Sequence, residues 1–243
     1  MSVQESVLRY GPSPWHRIDL YGPRDTAATS TVVLFHGGFW RHDRTARDLE
    51  PLAVALVRRN RAVAVVEYRP VWDGGAWPGA AEDGVAALDA LSALDPAWDE
   101  AVLAGHSAGA HLAMAAVAGR GAGRRLVLPA PVVDLARAEA LGVGGGAVGH
   151  FAGPHLRAGG TLEGATPRPD RTDVARLVVV RAADDQAVPD ALTDAQLDQW
   201  CADGLEPEHR SVPDARHMHL VNPERPGCAV TLELLTESAG AAV

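Results

Sequence analysis

Lysine is absent from this 243-residue chain, so all 22 basic residues are arginines. They are scattered, apart from a short cluster at residues 58–61, and the formal net charge is -9. This distribution offers no basic face and argues against nucleic-acid binding. The only cysteines are Cys201 and Cys228, which lack the spacing of a disulfide framework or a zinc site. We therefore expect no metal.

Long apolar runs are also missing. No stretch approaches the length of a membrane span, and residues 1–22 lack the basic and apolar regions of a secretory signal. These absences lead us to expect a cytoplasmic protein that does not enter a membrane. Hydrophobic residues make up 47% of the chain, which is enough for one sizeable core. We predict a single domain over residues 1–243.

Short apolar runs alternate with stretches of helical spacing, which predicts an α/β fold with a mostly parallel sheet. The predicted strands cover 31–35, 62–68, 101–105, 125–129, 176–181 and 208–212, and the predicted helices cover 45–59, 78–94, 108–118, 191–203 and 230–237. Residues 141–170 are rich in Gly and Pro and show little periodicity. There we predict a long loop region with short helices, which would flank a pocket and is a candidate lid.

The pentapeptide Gly-His-Ser-Ala-Gly at 105–109 lies between a predicted strand and a predicted helix. This is the context in which a G-x-S-x-G motif places a serine on a strained turn, with its hydroxyl above the sheet. Gly105 and Gly109 supply the small neighbours that such a turn requires. We predict that Ser107 is a nucleophile and that the Ala108 N–H, at the start of the helix, faces a developing oxyanion. The alternative is a Gly-rich turn with an incidental serine.

The segment His36-Gly-Gly-Phe-Trp40 directly follows the first predicted strand. Two glycines at the carboxyl end of a strand let backbone N–H groups approach a ligand. We predict that the N–H groups of Gly38 and Phe39 complete an oxyanion hole with Ala108, as in lipase-type HGG loops. His36 is interpreted as a structural residue that holds the loop.

A serine nucleophile needs a base, and the base needs an orienting acid. Asp184 and Asp185 follow the strand at 176–181, and we favour Asp185 because it opens a D-x-x-V-P pattern that is common in such acid loops. His217 and His219 follow the strand at 208–212. We favour His217, which stands closer to the strand end, and we keep His219 as the alternative.

Aromatic residues are few, at 5% of the chain, but several lie on loops near the predicted site. Phe39, Trp40 and Trp72 are candidates for a substrate pocket. Packing of these loops onto the sheet is the other interpretation, and for Trp72 and Trp77 it is at least as well supported.

Several motifs together resemble small α/β-hydrolases, in particular the kynurenine formamidase (arylformamidase) branch near the hormone-sensitive-lipase-like esterases. They are HGGFW (36–40), EYRP (67–70), WPGAAEDGVAAL (77–88), GHSAGAHLA (105–113), LVLPAPVVDL (126–135) and the Asp and His loops. The resemblance implies an α/β-hydrolase fold with helices on both faces of the sheet and no large cap domain. It also implies serine hydrolysis without a cofactor. Ala182 departs from the glycine that many relatives have before the acid loop, and residues 141–170 have no counterpart pattern.

The expected activity is hydrolysis of a small ester or amide through an acyl-enzyme on Ser107, and the resemblance favours an aryl formamide of the N-formylkynurenine type. A general short-chain carboxylesterase is the alternative of the same class. The alternative of another class is a non-catalytic binding protein with a hydrolase fold. The expected partner is a small-molecule substrate, and the sequence leaves the oligomeric state open, a homodimer included.

Overall fold

A computed structural model describes residues 3–24 and 27–237. Its strands form one eight-stranded sheet in the order β1-β2-β4-β3-β5-β6-β7-β8. The strands are β1 (Val3–Arg9), β2 (Arg17–Pro23), β3 (Ser30–Phe35), β4 (Arg61–Val66), β5 (Val102–Gly105), β6 (Arg124–Pro129), β7 (Val174–Ala182) and β8 (Glu208–Val212). From β4 to β8 all neighbouring strands are parallel, as the sequence predicts.

Seven α-helices connect or follow these strands within the described residues. They are α1 (Glu50–Val57), α2 (Gly79–Leu94), α3 (Ala108–Val117), α4 (Leu135–Ala140), α5 (Ala147–Arg157), α6 (Asp190–Ala202) and α7 (Cys228–Thr236). Helix α2 packs on α3, and α1 packs on α7. Strand β4 is added on one side of β3, and the next strand, β5, is added on the other side. Because parallel crossovers are right-handed, α1 and α2 therefore lie on opposite faces of the sheet. None of the helices in the described ranges is long and apolar enough to cross a bilayer.

Two strands, β1 and β2, are absent from the sequence-based prediction. They form an antiparallel hairpin, and β2 pairs antiparallel with β4. Strand β1 lies at the edge of the sheet, and Val7 on it is 56% exposed. An edge strand with one solvated face carries little apolar signal, which explains why the sequence does not predict it.

The predicted helix at 45–59 is divided in the structure. A 3₁₀ turn covers Ala46–Leu49, and α1 begins at Glu50 with Pro51 in its first turn. Proline fits the first turn because it lacks only an N–H that has no partner there. The region 141–170 contains one helix longer than expected, the eleven-residue α5, which buries Val148, Phe151 and Ala152.

The central strands form the core. Five of the six residues of β3 and all four residues of β5 are buried. The chain leaves β3 toward β4 on one side and leaves β5 toward β6 on the other. A crevice forms at the carboxyl ends of strands where the order reverses in this way, and ligands bind there in open α/β sheets. The two glycine loops predicted from the sequence, at residues 36–40 and 105–109, lie at the carboxyl ends of β3 and β5, where this crevice is expected.

Candidate active site

Ser107 lies in the turn between β5 and α3 with φ 54° and ψ -122°. A positive φ is unusual for a residue with a side chain and has to be held by its surroundings. The Ser107 N–H donates to the Pro129 carbonyl at 3.0 Å, and the Ser107 carbonyl accepts from the Val132 N–H at 3.0 Å. These bonds tie the turn to the end of the neighbouring strand, β6. The Ser107 side chain makes no capping bond to α3, so its hydroxyl is not used to stabilise the helix.

The two glycines of the motif are required by close contacts. A Cβ at Gly105 would lie 2.5 Å from the Ala110 Cα, and a Cβ at Gly109 would lie 2.3 Å from the Phe35 carbonyl oxygen. Both contacts involve backbone atoms, which cannot move aside as a flexible side chain can. The elbow therefore packs directly on the end of β3.

The loop after β3 meets Ser107 and has a strained backbone of its own. A Cβ at Gly37 would lie 3.0 Å from the Ser107 Cβ. Gly38, Phe39 and Trp40 follow with φ values of 101°, 56° and 56°. Within the described part of the chain, the N–H groups of Gly38, Phe39 and Ala108 have no hydrogen-bond acceptor. No acceptor of the described residues therefore competes for these three N–H groups.

His36 and Glu67 support this loop from behind, and both are buried. His36 Nε2 lies 2.9 Å from Glu67 Oε1, and the Ala46 N–H donates to Glu67 Oε2 at 3.0 Å. The Tyr68 hydroxyl donates to the His36 carbonyl at 2.9 Å, and the two rings stack at 4.3 Å. His36 therefore holds the loop, as the sequence interpretation proposes. The part played by Glu67 was missed, because the prediction placed this residue inside a strand that ends at Val66.

The structure brings Asp185 and His217 together. Asp185 Oδ2 accepts a hydrogen bond from His217 Nδ1 at 2.8 Å. Asp185 Oδ1 accepts from the N–H groups of Ala187 at 2.8 Å and Val188 at 3.0 Å. Burial alone would raise the Asp185 pKa, but the bond to His217 and these two backbone bonds hold it below its ordinary value. The carboxylate is therefore ionised and fixed in one orientation.

The two alternative residues lie outside this pair. Asp184 is exposed, and its N–H donates to the Ala215 carbonyl at 2.9 Å. His219 lies in the 3₁₀ turn His217–Leu220 and packs against Gly227. Among the four candidates, only Asp185 and His217 have the geometry of an oriented base.

Trp40 takes a packing position. It is fully buried, and its ring stacks on Phe151 of α5 at 4.0 Å with an interplanar angle of 9°. In this conformation Trp40 offers no exposed surface to a substrate. Phe39 is half-buried and touches the 141–146 loop, since a Cβ at Gly144 would lie 2.5 Å from its ring. Trp72 is 66% exposed, with the ring of His150 5.1 Å away.

Helix α5 and the loop before it thus cover the loop that follows β3. The region 141–170 lies beside the candidate site, as predicted for a flanking segment. The ring of His111, one turn along α3 from Ser107, contacts the rings of Trp40 and Phe151, with centroids 5.7 and 5.2 Å away. Its Nε2–H donates to the Ala165 carbonyl at 2.7 Å, and burial lowers its pKa to about 4. His111 is therefore a neutral structural residue.

Comparisons with known proteins agree on the fold. The BD-FAE family model matches residues 18–124, which include the loop after β3 and the Ser107 turn. Esterase B from Lactobacillus rhamnosis superposes with a TM-score of 0.77 at 21% identity, covering 96% of this chain and 84% of that chain. The esterase Est2 from Thermogutta terrifontis superposes with a TM-score of 0.69 at 18% identity, covering 95% of this chain and 89% of that chain.

A third structure of the same shape is the bifunctional GH43-CE protein of Bacteroides eggerthii. Its TM-score is 0.76 at 19% identity, and the match covers 98% of this chain and 38% of that chain. A search of the curated proteins gives no match. The sheet order and these superpositions define the α/β-hydrolase fold that the motifs predict.

Proposed function

We propose that this protein is a serine hydrolase that cleaves small carboxylic esters with Ser107, His217 and Asp185. The observation that carries the proposal is the 2.8 Å bond between Asp185 and His217, in a fold where the Ser107 turn is strained and backed by free N–H groups. An imidazole held in this way has the tautomer that accepts a proton at Nε2. Two proteins that share this fold, esterase B and Est2, are esterases.

In the proposed reaction, His217 takes the proton of the Ser107 hydroxyl as the oxygen attacks the substrate carbonyl carbon. The N–H groups of Gly38, Phe39 and Ala108 bind the oxyanion of the tetrahedral intermediate. When the intermediate collapses, the bond to the alcohol breaks and His217 gives its proton to the leaving oxygen. Water, activated by His217, then attacks the acyl-enzyme and releases the acid. Asp185 keeps its charge throughout and stabilises the imidazolium.

The packing of the loop after β3 supports a small acyl group. Trp40 and Phe151 fill the space behind the loop, and Phe39 is pressed against the segment at Gly144. Among the neighbours, structures of Est2 carry propionate or butyrate, and one of esterase B carries a tributyrin phosphonate inhibitor. We infer that acyl chains of similar length fit this site.

An aryl formamide is the second candidate substrate. Its acyl group is formyl, whose carbonyl carbon carries only a hydrogen, so it makes the smallest demand on the crowded space near Phe39. The motifs HGGFW and GHSAGAHLA also resemble those of arylformamidases. In this version the leaving group is an aromatic amine, and His217 protonates its nitrogen.

Labelling by a fluorophosphonate probe tests the reaction class. The probe should form an adduct on Ser107 in the wild type and none in the Ser107→Ala variant. The variant should also lose on the order of 10³-fold or more in kcat. Absence of labelling in the wild type would instead favour a binding protein with a hydrolase fold.

A substrate panel tests the specificity. We would compare kcat/KM for p-nitrophenyl acetate, butyrate and octanoate with kcat/KM for N-formylkynurenine. A preference for acetate or butyrate supports the esterase, and a preference for the formamide supports the second candidate. Faster turnover of octanoate than of butyrate would contradict the small acyl space.

A further inference from the structure

His106, which directly precedes Ser107 in the sequence, contacts His217. The ring centroids of His106 and His217 are 4.6 Å apart, with an angle of 45° between the planes. His106 Nε2 lies 3.4 Å from the His217 carbonyl oxygen, toward which its N–H is directed. His217 is thus held at its Nδ1 atom by Asp185, and its ring and backbone are contacted by His106.

His106 is itself fixed on its other side by the loop that follows β3. A Cβ at Gly37 would lie 2.9 Å from the His106 carbonyl oxygen and 3.1 Å from its Nδ1. The His106 N–H donates to the Phe35 carbonyl at 3.1 Å. His106 is 4% exposed. It therefore lies between the loop that presents the free N–H groups and the loop that presents the base.

The charged and titratable groups that face His106 are His217, Asp185 and His36. Burial first, and the neighbouring His217 second, lower the His106 pKa to about 3. His106 is then uncharged at neutral pH. A proton taken up by His217 meets a neutral ring and not a second cation.

We propose that His106 is a positioning residue that fixes the plane of the His217 imidazole while Nδ1 is bonded to Asp185, in the orientation that proton transfer from Ser107 requires. The inference rests on the proposed function. A single hydrogen bond at Nδ1 still tolerates rotation of the ring about the Cα–Cβ and Cβ–Cγ bonds of the side chain. The contact with the His106 ring removes this freedom, and the bond to the His217 carbonyl fixes the backbone that carries the ring. Such restraint matters because small displacements of a catalytic group reduce the rate strongly.

The test compares His106→Leu with His106→Gln and His106→Asn. Leucine fills the space but cannot donate to the His217 carbonyl, glutamine reaches that carbonyl with an N–H, and asparagine is too short. We expect His106→Leu to lower kcat for p-nitrophenyl butyrate about tenfold or more with KM within about twofold. His106→Gln should recover at least half of the lost activity on a logarithmic scale, and His106→Asn should recover none.

A matched control separates positioning from a general loss of stability. Val117 is buried at the far end of the same helix, and ten residues of α-helix place it about 15 Å from Ser107. Val117→Ala should lower the unfolding temperature without changing kcat. The downfield NMR signal of the His217 Nδ1 proton should be sharp in the wild type and in Val117→Ala, and exchange-broadened in His106→Leu.

Wild-type kcat and an unchanged Nδ1 proton signal in folded His106→Leu would overturn the inference while leaving the proposed function intact. If that variant does not fold, equal kcat in His106→Gln and His106→Asn would overturn it. A different result would contradict the proposed function itself: a wild-type protein that the fluorophosphonate probe does not label.

Discussion

Asp185 and His217 are 32 residues apart in the sequence, and His217 Nδ1 donates a hydrogen bond of 2.8 Å to Asp185 Oδ2. The loop after β7 carries the carboxylate, and the loop after β8 carries the imidazole. These two strands are parallel neighbours at one side of the sheet, so their following loops meet at the same edge. The other carboxylate oxygen of Asp185 accepts hydrogen bonds from the backbone N–H groups of Ala187 and Val188. The carboxylate is therefore held in one orientation toward His217.

This pairing predicts a large effect of Asp185→Asn. An amide can no longer stabilise the imidazolium, and it can present an N–H to His217 and so favour the wrong tautomer. We expect kcat to fall by about 10³ to 10⁴-fold, as in other serine hydrolases with this change. Steady-state kinetics on p-nitrophenyl butyrate checks the loss. The neighbouring Asp184→Asn serves as control and should keep kcat within about twofold, since Asp184 is exposed; a large loss there would move the acid to Asp184.

The packing of the elbow on β3 predicts that Gly109 accepts no side chain. A Cβ there would lie 2.3 Å from the Phe35 carbonyl oxygen and 2.4 Å from that of His36. Gly109→Ala should lower the free energy of unfolding by about 1–3 kcal/mol or prevent folding. Urea denaturation measures the change. Gly22→Ala is the matched control, because nothing lies within 4 Å of a Cβ at Gly22; equal stability of the two variants would contradict the close contact between elbow and strand.

The contacts of Glu67 predict that its buried carboxylate supports the loop with the free N–H groups. Glu67→Ala would leave His36 Nε2 and the Ala46 N–H without their acceptor, at a cost of about 1–3 kcal/mol for each buried group. We expect reduced stability and a kcat lowered about tenfold or more, because the loop at Gly38 loses its support. Glu67→Gln keeps one acceptor oxygen and should lie between the wild type and Glu67→Ala in unfolding temperature and in kcat. Wild-type kcat in both variants would show that the loop holds its shape without Glu67.

The sequence predicts the central parallel strands well because they are buried on both faces and therefore read as continuous apolar runs. The run at 31–35 and the strand Ser30–Phe35 differ by a single residue. The glycine loops were also recognisable, since few residue types tolerate a turn as tight as that at Ser107. Asp185 and His217 share a hydrogen bond in the structure, and their assignment as acid and base stays a prediction.

What the sequence left out depends on contacts between distant segments. Glu67 has no local feature that marks it as the partner of His36, 31 residues earlier. The burial of Trp40 follows from α5, whose apolar residues Val148, Phe151 and Ala152 have helical spacing within a Gly-rich stretch. That spacing is the signal that would have predicted the helix. The position of Trp40 against Phe151 was not readable from it.

Buried neutral histidines predict how stability depends on pH. Burial lowers the pKa of His111 from 6.5 to about 4, and that of His106 to about 3. Between these values and 6.5 the unfolded chain takes up protons on both residues, whereas the folded protein does not. The unfolded state therefore binds more protons, and the free energy of unfolding rises with pH across this window. Asp185 acts in the same direction at lower pH, since its depressed pKa gives stability that is lost below its ordinary value of 3.8.

The variant His111→Gln isolates one of these contributions. Glutamine can still donate to the Ala165 carbonyl but does not titrate, so the variant loses the slope of about one proton that His111 supplies between pH 6.5 and about 4. Urea melts at pH 4.5, 5.5, 6.5 and 7.5 measure this. The stability of the wild type relative to the variant should rise from pH 4.5 to 6.5 and then stay level. A difference that is constant over all four pH values would mean that His111 titrates alike in the folded and unfolded protein, and its burial as a neutral ring would be refuted.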